Sequence, residues 1–112
     1  RALPVFDRAA LLARAMDDEE LAREMTRLFL RDAPPQLEEI GVAMRADDAE
    51  AMRRIAHKLR GAAVPMSADS FGEMARIIEE AAKARNLGGM PPLVTELERR
   101  FDVLQNVLST VA

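Results

Sequence analysis

One stretch of the sequence, Ala56-His57-Lys58-Leu59-Arg60-Gly61-Ala62-Ala63, contains the only histidine among 112 residues and decides how the chain is interpreted. On a helical wheel, at about 100° per residue, apolar residues of the region from about Asp48 to Val64 share one side. They are Met52, Ile55, Ala56, Leu59, Ala63 and Met66. His57 falls on nearly the opposite side, with Arg53, Arg60 and Gly61, because residues three and four apart are neighbours on a helix surface. We therefore predict an amphipathic helix that presents an imidazole to solvent beside cations.

Gly61 is unexpected in the interior of this helix. A glycine there costs about 1 kcal/mol relative to alanine, and it lies on the wrong face to improve packing inside the domain. A larger side chain at this position would cover the imidazole of His57 from one turn away. We interpret Gly61 as a place where something from outside approaches the helix, against the alternative of an unselected surface residue.

Length and composition predict a single folded domain over residues 1–112. Hydrophobic residues make up 49% and charged residues 31%, and no run of about 18–20 apolar residues could span a membrane. The absence of cysteine excludes thiol chemistry and is compatible with the cytoplasm. A net charge of −3, with four Phe and no Trp or Tyr, argues against nucleic-acid binding. The missing initiator Met leads us to expect a segment of a longer chain.

The segments between prolines and glycines have helical periodicity and no alternation of period two, which predicts an all-α fold. Asp7 is predicted to cap a short first helix that runs to about Ala15. Asp17, with Glu20 as its capping-box partner, is predicted to begin the second helix. The predicted buried stripe of that helix is Leu21, Met25, Leu28 and Phe29.

Pro34-Pro35 interrupts this pattern, because proline cannot donate the helical hydrogen bond and restricts the residue before it. The apolar stripe then resumes, displaced around the axis, at Leu37, Ile40 and Met44. We expect either one long kinked helix or two helices nearly in line, ending at about Ala46.

Asp47, with Glu50 three residues on, is predicted to begin the His57 helix, and Pro65 to end it. Ser67 is predicted to cap the next helix, which runs to about Arg85. Its predicted buried residues are Phe71, Met74, Ala75, Ile78 and Ala82.

Asn86-Leu87-Gly88-Gly89 predicts a stop and turn, and Pro91-Pro92 suits the first turn of the last helix. The apolar positions of that helix are Leu97, Phe101, Leu104, Leu108 and Val111. Four substantial amphipathic helices with short connections predict an antiparallel four-helix bundle with a short extra N-terminal helix.

Most kinds of reactive site are poorly supported. One histidine without cysteine cannot build the usual zinc sites, and the position three residues before His57 is Arg54 where a di-iron bundle would have Glu. A serine hydrolase triad could be assembled only from freely chosen distant residues. Adjacent acids such as Glu79-Glu80 are interpreted as solvated helix faces. The sequence contains no glycine-rich phosphate loop, the motif that would predict nucleotide binding.

What remains is His57 as a nucleophile toward phosphorus. Imidazole is largely neutral near pH 7, and a covalent intermediate on histidine divides a difficult transfer into two easier steps. Phosphoryl transfer also requires positive charge near the equatorial oxygens. Arg60 is placed for that role, while Arg53, Arg54 and Lys58 add a local basic field or are ordinary solvated side chains.

The stretch from Ala56 to Ala63 resembles the signature of histidine phosphotransfer (HPt) domains, roughly A-H-x-L-[KR]-G-[SA]-[AS]. Segments elsewhere in the chain are similar to that family as well: Phe6-Asp7, Phe29-Leu30-Arg31-Asp32-Ala33-Pro34 and Asp47-Asp48-Ala49-Glu50. The resemblance covers nearly the whole chain. Two departures lie at the end of the His57 helix, where many members have Asn in place of Pro65 and Gly in place of Ser67.

The resemblance implies a carrier in two-component phosphorelays. His57 would accept a phosphoryl group from an aspartyl phosphate on one receiver domain and pass it to another, with Arg60 as the stabilising cation. Gly61 would be the small residue that admits the partner, and Val64, Arg53, Arg54 and Lys58 would contribute to partner binding. The magnesium ion and most catalytic groups would belong to the receiver. This chain would therefore bind no cofactor and would act as a carrier, not as a complete enzyme.

The expected partners are response-regulator receiver domains and a hybrid or sensor histidine kinase, and the expected state is a cytoplasmic monomer. The chain could be a stand-alone carrier, a domain of a hybrid kinase, or the phosphoacceptor domain of a chemotaxis-type kinase. A different class is a helical bundle that is never phosphorylated and only docks to a receiver or kinase. A third is a stand-alone hydrolase or metalloprotein.

Overall fold

The computed structural model describes residues 2–112, so only Arg1 of the predicted domain lies outside the described residues. It contains five α-helices and, within that range, no strand, which confirms the predicted all-α class. The helices are α1 (Arg8–Arg14), α2 (Glu19–Arg45), α3 (Ala49–Ala63), α4 (Asp69–Lys83) and α5 (Met90–Leu108). None of these helices is both long and apolar enough to cross a membrane.

Helices α2 to α5 form the predicted four-helix bundle. Each packs on the next, and α5 returns to contact α2, which closes the ring. The connections at 46–48, 64–68 and 84–89 are short, which makes consecutive helices antiparallel. The N-terminal segment is fastened to the α3–α4 turn, because Asp7 donates its backbone N–H to the Ser67 carbonyl (3.2 Å) and Ser70 donates to the Pro4 carbonyl (3.0 Å).

The core confirms the apolar stripes predicted for α3 and α4, and for α5 as far as Leu108. Its centre is a cluster of three aromatic rings from α2, α4 and α5. The ring centroids are 6.0 Å apart for Phe29 and Phe71, 5.8 Å for Phe71 and Phe101, and 6.2 Å for Phe29 and Phe101. Such edge and tilted pairs stabilise a core beyond the area that they bury.

The buried stripe predicted for the first half of α2 is confirmed at Phe29 and wrong at Leu21 and Leu28. Leu21 and Leu28 are each 39% exposed, whereas Ala22 and Thr26 are buried beside Phe29. A threonine is tolerated in the core because its hydroxyl donates to the Ala22 carbonyl at 2.8 Å, so no polar group is left unpaired. Leu21 and Leu28 therefore lie on the outer side of the bundle.

Helix α2 continues through Pro34-Pro35 as one helix and not as two helices nearly in line. Ala33, Leu37 and Ile40 are buried on either side of the prolines. Packing of this face against the neighbouring helices outweighs the hydrogen bonds that the two prolines cannot donate.

Two predicted helix starts are one residue too early. The caps are Asp18 and Asp48, whose carboxylates each accept the backbone N–H three residues on at 3.0 Å. Asp17 and Asp47 have φ of 60° and 53°, the left-handed conformation that ends the preceding helix. Each short connection therefore uses one aspartate to stop a helix and the next to start another.

The predicted cap at Ser67 is also wrong. The residue before α4 is Ala68, which forms no side-chain cap, and Ser67 has φ of 54°. Its backbone N–H donates to the Val64 carbonyl (3.0 Å), and that of Ala68 donates to the Ala63 carbonyl (3.1 Å), so the turn closes α3 as a Schellman motif. The Ser67 hydroxyl is buried without a hydrogen-bond partner. Pro65 lies in this turn, just beyond the helix as predicted.

An ion-pair network joins the first half of α5 to α4. Glu96 accepts hydrogen bonds from Arg99 (2.6 and 2.8 Å) and Arg100 (2.8 Å), and these bonds lower the pKa of Glu96 to about 2. Arg100 also donates to the Ser70 carbonyl at 2.9 Å, so the same guanidinium connects α5 to the first turn of α4.

Candidate functional site

His57 lies on the face of α3 opposite to the core, as predicted, with 60% of its side chain exposed. It is not surrounded by solvent alone, because α4 packs closely beside α3. From α4, Glu79 places Oε2 at 2.9 Å from Nδ1 of the imidazole. The other ring nitrogen, Nε2, forms no hydrogen bond with residues 2–112.

The solvated position expected for Glu79 is wrong, since only 6% of its side chain is exposed. Its neighbour Glu80 is exposed, as expected. The helical wheel contains the signal that was missed: Glu79 is four residues after Ala75 and three before Ala82, both buried. An acidic residue in the apolar stripe of a helix indicates a buried charge that needs a partner.

Arg60 provides one partner for this buried carboxylate. Its Nε lies 3.0 Å from Glu79 Oε1, an ion pair whose N–H is not aligned with the oxygen for a hydrogen bond. This guanidinium places a positive charge beside a carboxylate that is largely shielded from water. Arg60 also places Nη2 at 3.2 Å from His57 Nδ1. Arg60, His57 and Glu79 therefore form one cluster across the α3–α4 seam.

The proton on the imidazole follows from these contacts. If Nδ1 carried no proton, its lone pair would face that of an ionised carboxylate oxygen at 2.9 Å. We therefore assign the proton to Nδ1, which donates to Glu79, while Arg60 approaches without donating to that nitrogen. Nε2 then keeps its lone pair on the exposed side of the ring. A neutral histidine in this tautomer is a nucleophile that needs no separate base.

The other predicted cations differ in their surroundings. Arg53 is held by Glu50 through two hydrogen bonds of 2.6 and 3.0 Å, which lower the pKa of Glu50. Arg54 and Lys58 are exposed and line the same surface depression as His57, facing α2. Among these residues, the guanidinium of Arg60 alone contacts the imidazole.

Gly61 is exposed, and a Cβ built on it would meet no atom within 4 Å. No packing contact within the described residues requires a glycine here. The space one turn from His57 is therefore open, so another molecule can approach the helix there, as we inferred from the sequence.

An apolar depression, here called the α2–α3 groove, lies between these two helices and reaches Lys58, the residue after His57. Its lining includes Met25, Leu28, Gln36, Lys58, Ala62 and Pro65. Val64, between Ala62 and Pro65 in the sequence, is 55% exposed. The α2 side chains of this groove were not named from the sequence, although Met25 and Leu28 belong to the stripe that was predicted to be buried.

The described residues contain no group of three His, Cys, Asp or Glu side chains that could hold a metal ion. The site itself brings together the imidazole of His57, the guanidinium of Arg60 and the carboxylate of Glu79. Their arrangement suits transfer of a group to nitrogen.

Comparisons with known proteins agree with this geometry. A family model described as Hpt domain matches residues 24–107. Histidine-containing phosphotransfer protein B (HptB) from Pseudomonas aeruginosa PAO1 is 25% identical, with a TM-score of 0.90 over 97% of this chain and 95% of that chain. The HPT domain of an Hpt sensor hybrid histidine kinase from Shewanella shares the fold, with a TM-score of 0.81 at 24% identity over 96% of this chain and 92% of that chain.

A search of curated proteins found no match. The family match extends over α3 and α4 and most of α2 and α5, and it includes His57, Arg60 and Glu79. Since the match over residues 24–107 covers most of the sequence, the chain belongs to the Hpt domain family, the histidine phosphotransfer modules of two-component phosphorelays.

Proposed function

We propose that His57 accepts a phosphoryl group from the aspartyl phosphate of one receiver domain and passes it to another. The observation that carries this proposal is the orientation of the imidazole. Nδ1 is occupied by Glu79 at 2.9 Å, while the side chain is 60% exposed and Nε2 is free. The nucleophilic nitrogen is thus the one that an approaching protein can reach.

In the transfer step, the Nε2 lone pair forms the N–P bond as the bond from phosphorus to the aspartyl oxygen breaks. The electron pair of that bond leaves with the receiver's carboxylate. No proton has to move, because Nδ1 keeps its hydrogen toward Glu79. Passing the phosphoryl group to a second receiver is the same step in reverse.

Arg60 is proposed to stabilise the phosphoryl oxygens. Its guanidinium is 39% exposed and lies within 3.2 Å of the ring, on the Nδ1 side. Rotation of this long side chain would bring the fork of N–H groups toward the phosphoryl group on Nε2, where bidentate contacts to oxygen are favourable. Glu79 would anchor the arginine until the group arrives.

The receiver is proposed to dock over the α2–α3 groove and the open space above Gly61. Leu28, which lines the groove, and Val64, seven residues after His57, offer exposed apolar area, as the centre of a protein interface requires. Arg53, Arg54 and Lys58 would attract the acidic site of a receiver, and exposed charges of this kind act mainly on the rate of association.

The magnesium ion and most of the catalytic groups are proposed to belong to the receiver, with this chain as a carrier that is no complete enzyme and binds no cofactor. We propose a monomer in the cytoplasm that works with response-regulator receivers and with a hybrid or sensor histidine kinase. The apolar stripes of α3 to α5 are used inside the bundle, which supports the monomeric state.

Phosphoryl transfer from a panel of phosphorylated receiver domains tests this function. Wild type and His57→Gln are compared at neutral to alkaline pH, which preserves phosphohistidine. Label on wild type alone is the expected result. Binding of a receiver without label from any receiver or kinase domain would instead indicate a bundle that only docks.

A further inference from the structure

The buried carboxylate beside the imidazole also bears on the phosphorylated state. We propose that Glu79 is a positioning residue that keeps the phosphorylated ring of His57 protonated on Nδ1, so that phosphohistidine remains a reactive donor at neutral and mildly alkaline pH. This inference rests on the proposed function, since it concerns the product of His57 phosphorylation.

The proton on Nδ1 decides how easily the N–P bond breaks. When the neutral ring attacks through Nε2, the product carries phosphorus on Nε2 and hydrogen on Nδ1, and the ring is a cation. Breaking the N–P bond of this cation returns the electron pair to a neutral imidazole. If the Nδ1 proton is lost first, the same step must expel an imidazolate anion, a much poorer leaving group.

Glu79 is placed to hold that proton. The carboxylate Oε2 lies 2.9 Å from Nδ1, and the side chain is only 6% exposed, so water weakens the interaction little. A hydrogen bond to the charged form of a group favours that form. The attraction becomes stronger on phosphorylation, because the ring then carries a positive charge that the free imidazole lacks.

Other groups face the imidazole and must be weighed against Glu79. From α2 and α3 they are Gln36, Glu39, Arg54, Lys58 and Arg60, while Arg53, one turn before His57, is paired with Glu50. Most are exposed and screened by solvent and salt. Arg60, at 3.2 Å from Nδ1, opposes a protonated ring, but the phosphoryl group would offer this guanidinium a second anion. The buried carboxylate of Glu79, at 2.9 Å, is therefore the anion that acts on Nδ1.

The experiment uses phosphoramidate, a small donor that phosphorylates histidine without a partner protein. Because His57 is the only histidine, the phosphorylated chain has a single phosphohistidine ³¹P signal and a single set of ring ¹⁵N signals. The pH at the midpoint of the ring titration is measured for wild type, Glu79→Gln and Glu80→Gln. Glu80→Gln removes the same charge one residue away at an exposed position.

We expect the midpoint of Glu79→Gln to lie about 1 to 2 pH units below that of wild type, and that of Glu80→Gln to be unchanged. Above the midpoint, return of the phosphoryl group to a receiver should slow in Glu79→Gln by about tenfold for each pH unit of that shift. Circular dichroism confirms that the variants are folded.

Equal midpoints in folded wild type and Glu79→Gln would overturn the inference and leave the proposed function intact. An equal decrease in Glu80→Gln would also overturn it, because the effect would then come from net charge. A shifted midpoint together with no transfer to any receiver would contradict the proposed function instead. Failure of phosphoramidate to label wild type would contradict both.

Discussion

Ser67 lies in the turn that ends α3, and both its backbone conformation and its hydroxyl group are energetically unfavourable there. Its φ is 54°, a left-handed conformation that a residue with a Cβ adopts at a cost, and its hydroxyl is buried without a partner. Glycine removes both features. We therefore predict that Ser67→Gly stabilises the protein without changing phosphoryl transfer, because the hydrogen bonds of Ser67 are formed by its backbone N–H and carbonyl.

The size of the gain follows from two favourable effects and two that oppose them. Relief of the left-handed backbone contributes about 1–2 kcal/mol, and removal of an unpaired buried hydroxyl contributes about 1–3 kcal/mol. The greater freedom of glycine in the unfolded chain opposes them by about 0.5–1 kcal/mol, and the space left by the side chain reduces the gain further. We expect a net gain of about 1–2 kcal/mol, which raises Tm by about 4–8 °C in a domain of this size.

Thermal and urea unfolding of two further variants separates these effects. Ser67→Ala removes the hydroxyl but keeps the strained backbone. Arg85→Gly relieves the same strain, at φ of 55°, in an exposed residue after α4. Ser67→Gly should be more stable than either one. If Ser67→Gly unfolds at or below the wild-type temperature while Arg85→Gly gains stability, the explanation given for this turn is wrong.

Three further predictions concern the histidine face and α5. Gly61→Leu should stabilise α3 by up to about 1 kcal/mol, because the space around this position is open. The same variant should slow phosphoryl transfer, because the leucine covers the approach to the imidazole. In the control Gly72→Ala, the new Cβ would meet a methyl carbon at 3.1 Å, so this variant should gain less stability and leave transfer unchanged. Leu28→Asp should weaken receiver binding at least tenfold in a titration. Val103→Asp should not weaken it, although Val103 on α5 is as exposed as Leu28 (38% and 39%). Equal losses of affinity in the two variants would place the docking face elsewhere. The pKa of Glu96 is lowered from 4.5 to about 2, so its stabilising effect is complete above pH 4.5 and is lost as pH falls toward 2. The Tm difference between wild type and Glu96→Gln should therefore shrink over that interval, and a constant difference would contradict the ion-pair explanation.

The sequence predicted those features that depend on local periodicity. The 3.6-residue repeat of α3 was enough to place His57, Arg60 and Gly61 together on an outer face. The same repeat identified the buried residues of α4 and α5, and the short connections then implied the antiparallel bundle. These features follow from helix geometry and from the need to bury one apolar side.

Features that depend on contacts between helices were missed. Glu79 is 22 residues from His57, and only the packing of α4 against α3 brings the two together. In α2, two apolar stripes compete for the core, and hydrophobicity alone favoured Leu21 and Leu28 over the smaller Ala22 and Thr26. The stripe left outside the core is the one that borders the α2–α3 groove.

The boundaries at Asp17 and Asp47 were missed for a different reason. Two consecutive aspartates stand at each helix start, and either could accept the N–H bonds of a cap. The choice is made by the end of the preceding helix, which needs a residue in the left-handed conformation.

The most direct measurement is to find the atom that holds phosphorus after transfer from a phosphorylated receiver, using protein labelled with ¹⁵N in the histidine ring. We predict coupling between phosphorus and Nε2 of His57, with Nδ1 still protonated and no signal from His57→Gln. Phosphorus on Nδ1, or on any other residue, would contradict the assignment of Nδ1 to Glu79 and of Nε2 to the transfer.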